Sequence, residues 1–248
     1  MKFVGIDLAW SAANPSAAVL LRKEGEGGVL EAWHDRLGAD EAILEFVRQG
    51  VGEEPALIAV DAPLLVPNEE GTRPCDRELS RFYRWAQAQA YPANRRRLGP
   101  RVRGEELVRL LEGLGFRHDP EVPAQRAVRQ VVEVFPHPAA VELFGLPRIL
   151  RYKARPGRSY AERWAELERF RELLAGLAGR RPALHAAALL GQARPQGRRG
   201  QALKRLEDLL DALFCAYIAL HLWYWGPRGY RRFGDRRSGY ILVPILPG

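Results

Sequence analysis

Four aspartates in this chain are placed to grip a cation: Asp7, Asp61, Asp208 and Asp211. Asp7 ends the apolar run at 3–6 in MKFVGIDLAW, and Asp61 ends the run at 57–60 in ALIAVDAPL. Asp208 and Asp211 open the apolar stretch EDLLDALFCAYIAL. Hard cations such as Mg²⁺ or Mn²⁺ take carboxylate oxygens, often one or two from the protein and the rest from water and substrate phosphates. Two such ions can stabilise the attacking and leaving oxygens of a phosphodiester displacement. An acid that closes an apolar run is costly unless it is paired or bound to a metal.

Asp208 and Asp211 are spaced i, i+3 and so share one helix face, with Glu207 beside them. A helix dipole favours acids near its start, which accounts for Glu207 and Asp208. It accounts poorly for Asp211, which Leu210, Leu213, Phe214 and Tyr217 border on the apolar side. Asp211 is therefore the first choice as a ligand and Asp208 the next. Three further residues have both a chemical and a structural reading. Glu133 in VVEVF is an extra ligand or substrate contact, or an edge-strand acid facing solvent. His137 is a proton shuttle or phosphate contact, or a capping histidine. Lys153 is a contact for a scissile phosphate, or half of a salt bridge; lysine otherwise occurs only at Lys2, Lys23 and Lys204.

The elements that must carry these side chains follow from apolar periodicity. Residues 2–8 and 56–60 read as buried strands, and 17–22 and 29–34 as a hairpin around the Gly-rich turn at 25–28. Residues 40–49 read as a helix stopped by Gly50. Beyond Pro63 the pattern predicts helices over 75–90, 105–115, 158–177, 183–190 and 201–225. It predicts basic loops over 95–103 and 194–200, a strand over 131–135, and a closing strand or extended tail over 240–246. Functional groups of an α/β sheet collect at the carboxyl ends of strands, where Asp7 and Asp61 stand.

Bulk properties narrow the class. The chain has 248 residues, 47% hydrophobic and 27% charged, as expected of a globular protein. Its net charge of +8 comes almost wholly from arginine, whose planar fork suits phosphate. A heat-adapted or GC-rich composition would leave the same bias. Arginines cluster at Arg95, Arg96, Arg97, Arg101 and Arg103; at Arg194, Arg198 and Arg199; and at Arg228, Arg231, Arg232, Arg236 and Arg237. The last cluster is interleaved with Trp225, Tyr230, Phe233 and Tyr240, which read as stacking platforms for nucleic acid or as a homodimer interface. Cys75 and Cys215 have neither metal-ligand spacing nor a disulfide framework. With no leader pattern and no apolar run of about 18 residues, the expected compartment is the cytoplasm, with no membrane partner.

Strand, hairpin, strand, helix, strand is the opening order of the RNase H-like fold. In sequence order, GIDLAW (5–10), AVDAPL (59–64), YPANR (91–95), VVEVFPHPA (131–139), RYK (151–153), EDLLDALFCAYIA (207–219) and GYILVP (239–244) resemble an uncharacterised family of predicted nucleases with that fold. The resemblance spans nearly the whole chain. It implies one α/β domain over 1–248, with a mixed sheet flanked by helices, a helical and loop elaboration at roughly 64–130, and a long C-terminal helix. It also implies a Mg²⁺- or Mn²⁺-dependent site on Asp7, Asp61, Asp208 and Asp211, with nucleic acid as substrate. The two-acid helix is similar to that of Holliday-junction resolvases. Two alternatives remain open. One is a nucleic-acid-binding protein without catalysis. The other is a phosphotransferase of the same superfamily, disfavoured because Leu8-Ala9-Trp10-Ser11 follows Asp7 where a glycine-rich phosphate turn is needed.

Overall fold

The computed structural model describes residues 1–11 and 13–247. Among these, seven strands form one mixed sheet and two more form a separate hairpin. The sheet contains β1 (Lys2–Asp7), β2 (Ser16–Glu24), β3 (Gly27–Leu37), β4 (Ala56–Asp61), β5 (Arg117–His118), β6 (Arg129–Glu133) and β7 (Ala183–His185), in the order β5-β6-β4-β1-β2-β3-β7. β1 runs antiparallel to β2 and parallel to β4, and β4 is parallel to β6. This is the RNase H-like mixed sheet that the sequence led us to expect.

Strand alternation sorts the core onto two faces. Val4, Ile6, Leu20, Ile58 and Val60 face α1 (Asp40–Val51) and α4 (Arg103–Glu112). Phe3, Val19, Leu57, Ala59 and Val132 face the other way, onto α5 (Pro136–Phe144), α6 (Tyr160–Gly176) and α8 (Gly200–Trp225). Asp7 and Asp61 share the parity of Phe3 and Ala59, so both project on the α8 side. They are also register partners across β1 and β4.

Two close approaches fix this geometry. A Cβ on Gly5 would lie 2.0 Å from the Ala212 carbonyl oxygen and 2.1 Å from the Ala216 nitrogen. The backbone of α8 therefore lies directly on β1, and the helix turn carrying Asp211 is pressed against the strand end carrying Asp7. A Cβ on Gly104 would meet the Pro63 carbonyl oxygen at 2.0 Å, which seats α4 on the turn after Asp61.

Elsewhere the structure corrects several expectations. The segment 75–90 holds a shorter helix, α2 (Pro74–Phe82), followed by a single turn at Arg84–Ala86. The basic loop at 95–103 contains a four-residue helix, α3 (Arg95–Leu98). The stretch 183–190 is not one helix: Ala183–His185 extends the sheet edge as β7, paired with β3, before α7 (Ala187–Gln192) begins. The arginine-rich run near the C-terminus forms a strand, β8 (Tyr230–Asp235), paired with β9 (Gly239–Pro244). Its Tyr230, Phe233 and Tyr240 are buried within the chain, so they present neither a stacking surface nor a dimer face. One helical stretch, Gly200–Gly229, is in fact long and apolar enough to cross a membrane, but 83% of its apolar window is buried inside the fold. It is a core helix, covered by the sheet it packs on.

Candidate metal centre

Asp7, Asp208 and Asp211 each offer an oxygen lying within 4.8 Å of the others. Two oxygens on opposite sides of a Mg²⁺ are about 4.2 Å apart at its usual bond length, so the trio fits one ion with a small side-chain adjustment. Asp61 stands beside this trio as the register partner of Asp7. Asp7 Oδ2 is buried and has no hydrogen-bond donor among the described residues, and Asp211 Oδ2, also buried, has only the Lys153 ammonium against it. A buried carboxylate oxygen without a donor is expensive, and a cation is one of the few groups that satisfies it.

Lys153 enters the same cluster. Its ammonium contacts Asp211 Oδ2 as an ion pair and lies 3.6 Å from Asp208 Oδ1 and 3.8 Å from Asp7 Oδ2. The neighbouring Tyr152 hydroxyl donates to Asp211 Oδ1 at 2.6 Å. Lys204 pairs with Asp208 from one turn before it on α8. Four carboxylates thus face two ammonium groups, and negative charge is left over. Burial pushes the Asp7 carboxyl well above its ordinary range; Lys153 opposes this, and Asp208, Asp211 and Asp61 add to it. Burial, and then the Asp211 charge, push Asp61 up to about 7. Lys153 is raised well above its ordinary value by Asp211 and Asp7, against its own burial.

A second tier of residues holds the first in place. Arg163 of α6 donates to Glu207 at 2.7 Å and to the Tyr152 carbonyl at 3.1 Å, tying the Tyr152–Lys153 segment to α8. Glu207 is therefore a buried ion-pair partner and not a helix-start acid. Because α8 begins at Gly200, Glu207, Asp208 and Asp211 all lie beyond its first turn, where the dipole effect has faded. Arg103 binds Asp40 at 2.7 Å and donates to the Ala9 carbonyl at 2.8 Å, which anchors the loop after Asp7.

Glu133 does not face solvent. Arg73 holds both its oxygens, at 2.6 and 2.9 Å, and the Leu64 amide donates to it at 2.8 Å. It stands near Asp61 but is not in the trio. His137 lines the cleft above the acids, where burial lowers it to about 4 and keeps it neutral.

Asp7, Asp61 and Asp208 form the floor of a cleft of about 520 Å³, with Asp211 buried behind them. Its basic wall comes from Arg155, Arg158, Lys204 and Arg205, not from the clusters singled out in the sequence. Those are largely engaged elsewhere: Arg95 with Glu105, Arg96 with Glu70, Arg103 with Asp40, Arg194 with Glu168, Arg232 with Glu121 and Arg236 with Asp119. Arg155 and Arg158 were missed because they alternate with other residues in the run at 151–158, and Arg205 because it lies beside Lys204 inside an apolar helix pattern, so none belongs to a block of consecutive arginines. Gly5, Arg73 and Arg163 were missed because their partners are distant along the chain.

Fold and site together define an α/β protein of RNase H-like architecture with a buried acidic cluster at the ends of its central strands. A family model described as a protein of unknown function (DUF429) matches residues 5–234, and the chain belongs to that family. No curated protein and no solved structure matches it.

Proposed function

We propose that this protein is a divalent-cation-dependent nuclease that hydrolyses nucleic-acid phosphodiester bonds. The observation that carries the proposal is the convergence of Asp7, Asp208 and Asp211, the first two at the floor of a cleft whose rim is basic and Asp211 directly beneath it. Asp7, Asp208 and Asp211 would hold the ion, with Asp61 as a further ligand. Bound there, Mg²⁺ or Mn²⁺ would supply charge stabilisation to the attacking and leaving oxygens. Arg155, Arg158 and Arg205 have no acidic partner among the described residues, Arg158 donating only to the Lys153 carbonyl, and their remaining donors can take flanking phosphates. Lys153, at the edge of the acid cluster, is within reach of a phosphate lying over it. Tyr152 fixes the rotamer of Asp211 through its hydroxyl.

A labelled panel of single strands, duplexes, an RNA–DNA hybrid and a four-way junction, incubated with Mn²⁺ or Mg²⁺, tests the reading. Cleavage by the wild type is expected, with at least a hundredfold loss in Asp7→Asn and Asp211→Asn, the order seen when charge-stabilising groups are removed. Binding without cleavage, unchanged in both variants, would replace it with the second reading. That reading is a nucleic-acid-binding protein whose acids are internally compensated, and the observation favouring it is the ion pair of Lys153 with Asp211.

A further inference from the structure

The cleft has aromatic as well as basic walls. Trp10 is 42% exposed and Tyr91 is 54% exposed, and both line the cleft over the acids. Both also line a narrow side crevice of about 70 Å³, bounded by Phe135 and Pro63 and opening beside Asp61. A single exposed aromatic needs no explanation, but two that line the same cleft form a shared apolar surface over the acids. Trp10 belongs to the loop that Arg103 pins through the Ala9 carbonyl, and the Arg155 guanidinium sits 5.4 Å from the Tyr91 ring centre. The rings are thus held at the site by anchored or charged neighbours.

We infer that Trp10 and Tyr91 are stacking platforms for unpaired nucleobases, and that the substrate enters as a single strand or as a locally unpaired segment. This deepens the nuclease reading and rests on it for the location of the chemistry. Three features of the cleft converge. Flat aromatic faces take any base without reading its sequence. Arg155 and Arg158 stand on the same walls to neutralise the phosphates between stacked bases. The cleft volume falls in the range of small-molecule sites, about 300–1,000 Å³, the scale of unpaired nucleotides rather than of a duplex segment.

The test is binding alone, read by fluorescence anisotropy in EDTA at low salt, so that no cleavage intervenes. The probes are labelled DNA and RNA single strands, a blunt duplex and a strand with abasic sites. The wild type should prefer the intact single strand over the duplex. Trp10→Ala and Tyr91→Ala should each weaken single-strand binding about 5- to 150-fold, the loss of one stacked base. The abasic strand should bind weakly, and neither variant should weaken it further. Trp85→Ala serves as the control, since Trp85 is 61% exposed but does not line the cleft. Equal affinity for duplex and single strand, tight binding of the abasic strand, no effect of either variant, or no binding at all would each overturn the inference. The DNA and RNA arms show which sugar is taken. Base-dependent binding with no cleavage of any substrate would sink the nuclease reading alone. Cleavage of intact duplex that Trp10→Ala leaves undiminished would sink the stacking inference alone.

Discussion

Two clusters of buried acids lie side by side in this molecule, and they are compensated in opposite ways. Glu133 and Asp76 share Arg73: Asp76 receives two guanidinium bonds, at 3.1 and 2.8 Å, and both Glu133 oxygens receive donors. One guanidinium serves two carboxylates there, and what is closed is the hydrogen bonding rather than the charge. Asp7, Asp61, Asp208 and Asp211 have the Lys153 and Lys204 ammonium groups and the Tyr152 hydroxyl against them, and among the described residues Asp7 Oδ2 lacks any donor. Asp208 and Asp211 are buried much as Glu133 and Asp76 are, so burial alone does not separate a structural acid from one poised for a ligand. What separates them is whether the donors within the fold suffice.

The comparison predicts its largest effect at Arg73. Arg73→Met leaves Glu133 and Asp76 buried without a counter-charge, a loss of about 3–5 kcal/mol. At about 2–4 °C per kcal/mol for a chain of this size, the melting temperature should fall by roughly 6–20 °C in calorimetry, with no recovery on adding Mn²⁺. Recovery by Mn²⁺ would mean that Glu133 belongs to the cation site after all. The open cluster predicts a second effect, of opposite sign. Mn²⁺ at a hundredfold excess over its dissociation constant should stabilise the wild type by about 2.7 kcal/mol. Asp211→Asn should abolish that shift and Glu133→Gln should leave it intact. An equal shift in Asp211→Asn would place the cation elsewhere.

Next in size is a pH effect at Asp61. Its folded-state pKa of about 7 lies above the ordinary 3.8, so the folded protein holds a proton that the unfolded chain releases. Stability without metal should therefore fall as pH rises from about 4 to about 7, and level off above that. Asp61→Asn removes the penalty. The variant should gain little over the wild type near pH 4 and on the order of 2 kcal/mol at pH 8, measured by urea unfolding in EDTA. A variant that is less stable than the wild type at pH 8 would show that Asp61 is satisfied within the fold, as Glu133 is.

Sequence alone revealed much of the open cluster and almost none of the closed one. Asp7 and Asp61 stood out because each ends a buried run, and strand parity then fixes their common face. Asp208 and Asp211 stood out because three residues make most of a helix turn. Arg73 and Glu133 are 60 residues apart, and nothing local marks them as partners. Gly5 looked like an ordinary strand residue; its role as the seat of α8 needs Ala212 and Ala216, more than 200 positions away. β8 escaped because its inward residues Tyr230 and Phe233 are separated by two arginines, which breaks the period of two. β7 escaped because its alanine- and leucine-rich segment favours helix, and pairing with β3 overrides that preference for three residues.

The finest distinction concerns Lys153, the feature that most makes the open cluster resemble the closed one. Its ammonium sits among Asp7, Asp208 and Asp211, against the same oxygens that a divalent ion would need. Arg73 is locked by bonds to fixed partners on several sides, but Lys153 is 28% exposed on a flexible stem and can swing toward the cleft. A tethered monovalent charge of this kind competes with a divalent ion and is displaced by it. Lys153→Gln should therefore tighten Mn²⁺ binding, by about three- to tenfold after solvent screening of the charge, as read by titration calorimetry. Should Lys153 also steady a substrate phosphate, the same variant would lose cleavage while gaining cation affinity. That opposite movement is one that a purely structural salt bridge would not produce. Weaker Mn²⁺ binding in Lys153→Gln would instead make Lys153 a structural support of the acids, and would draw the two clusters together.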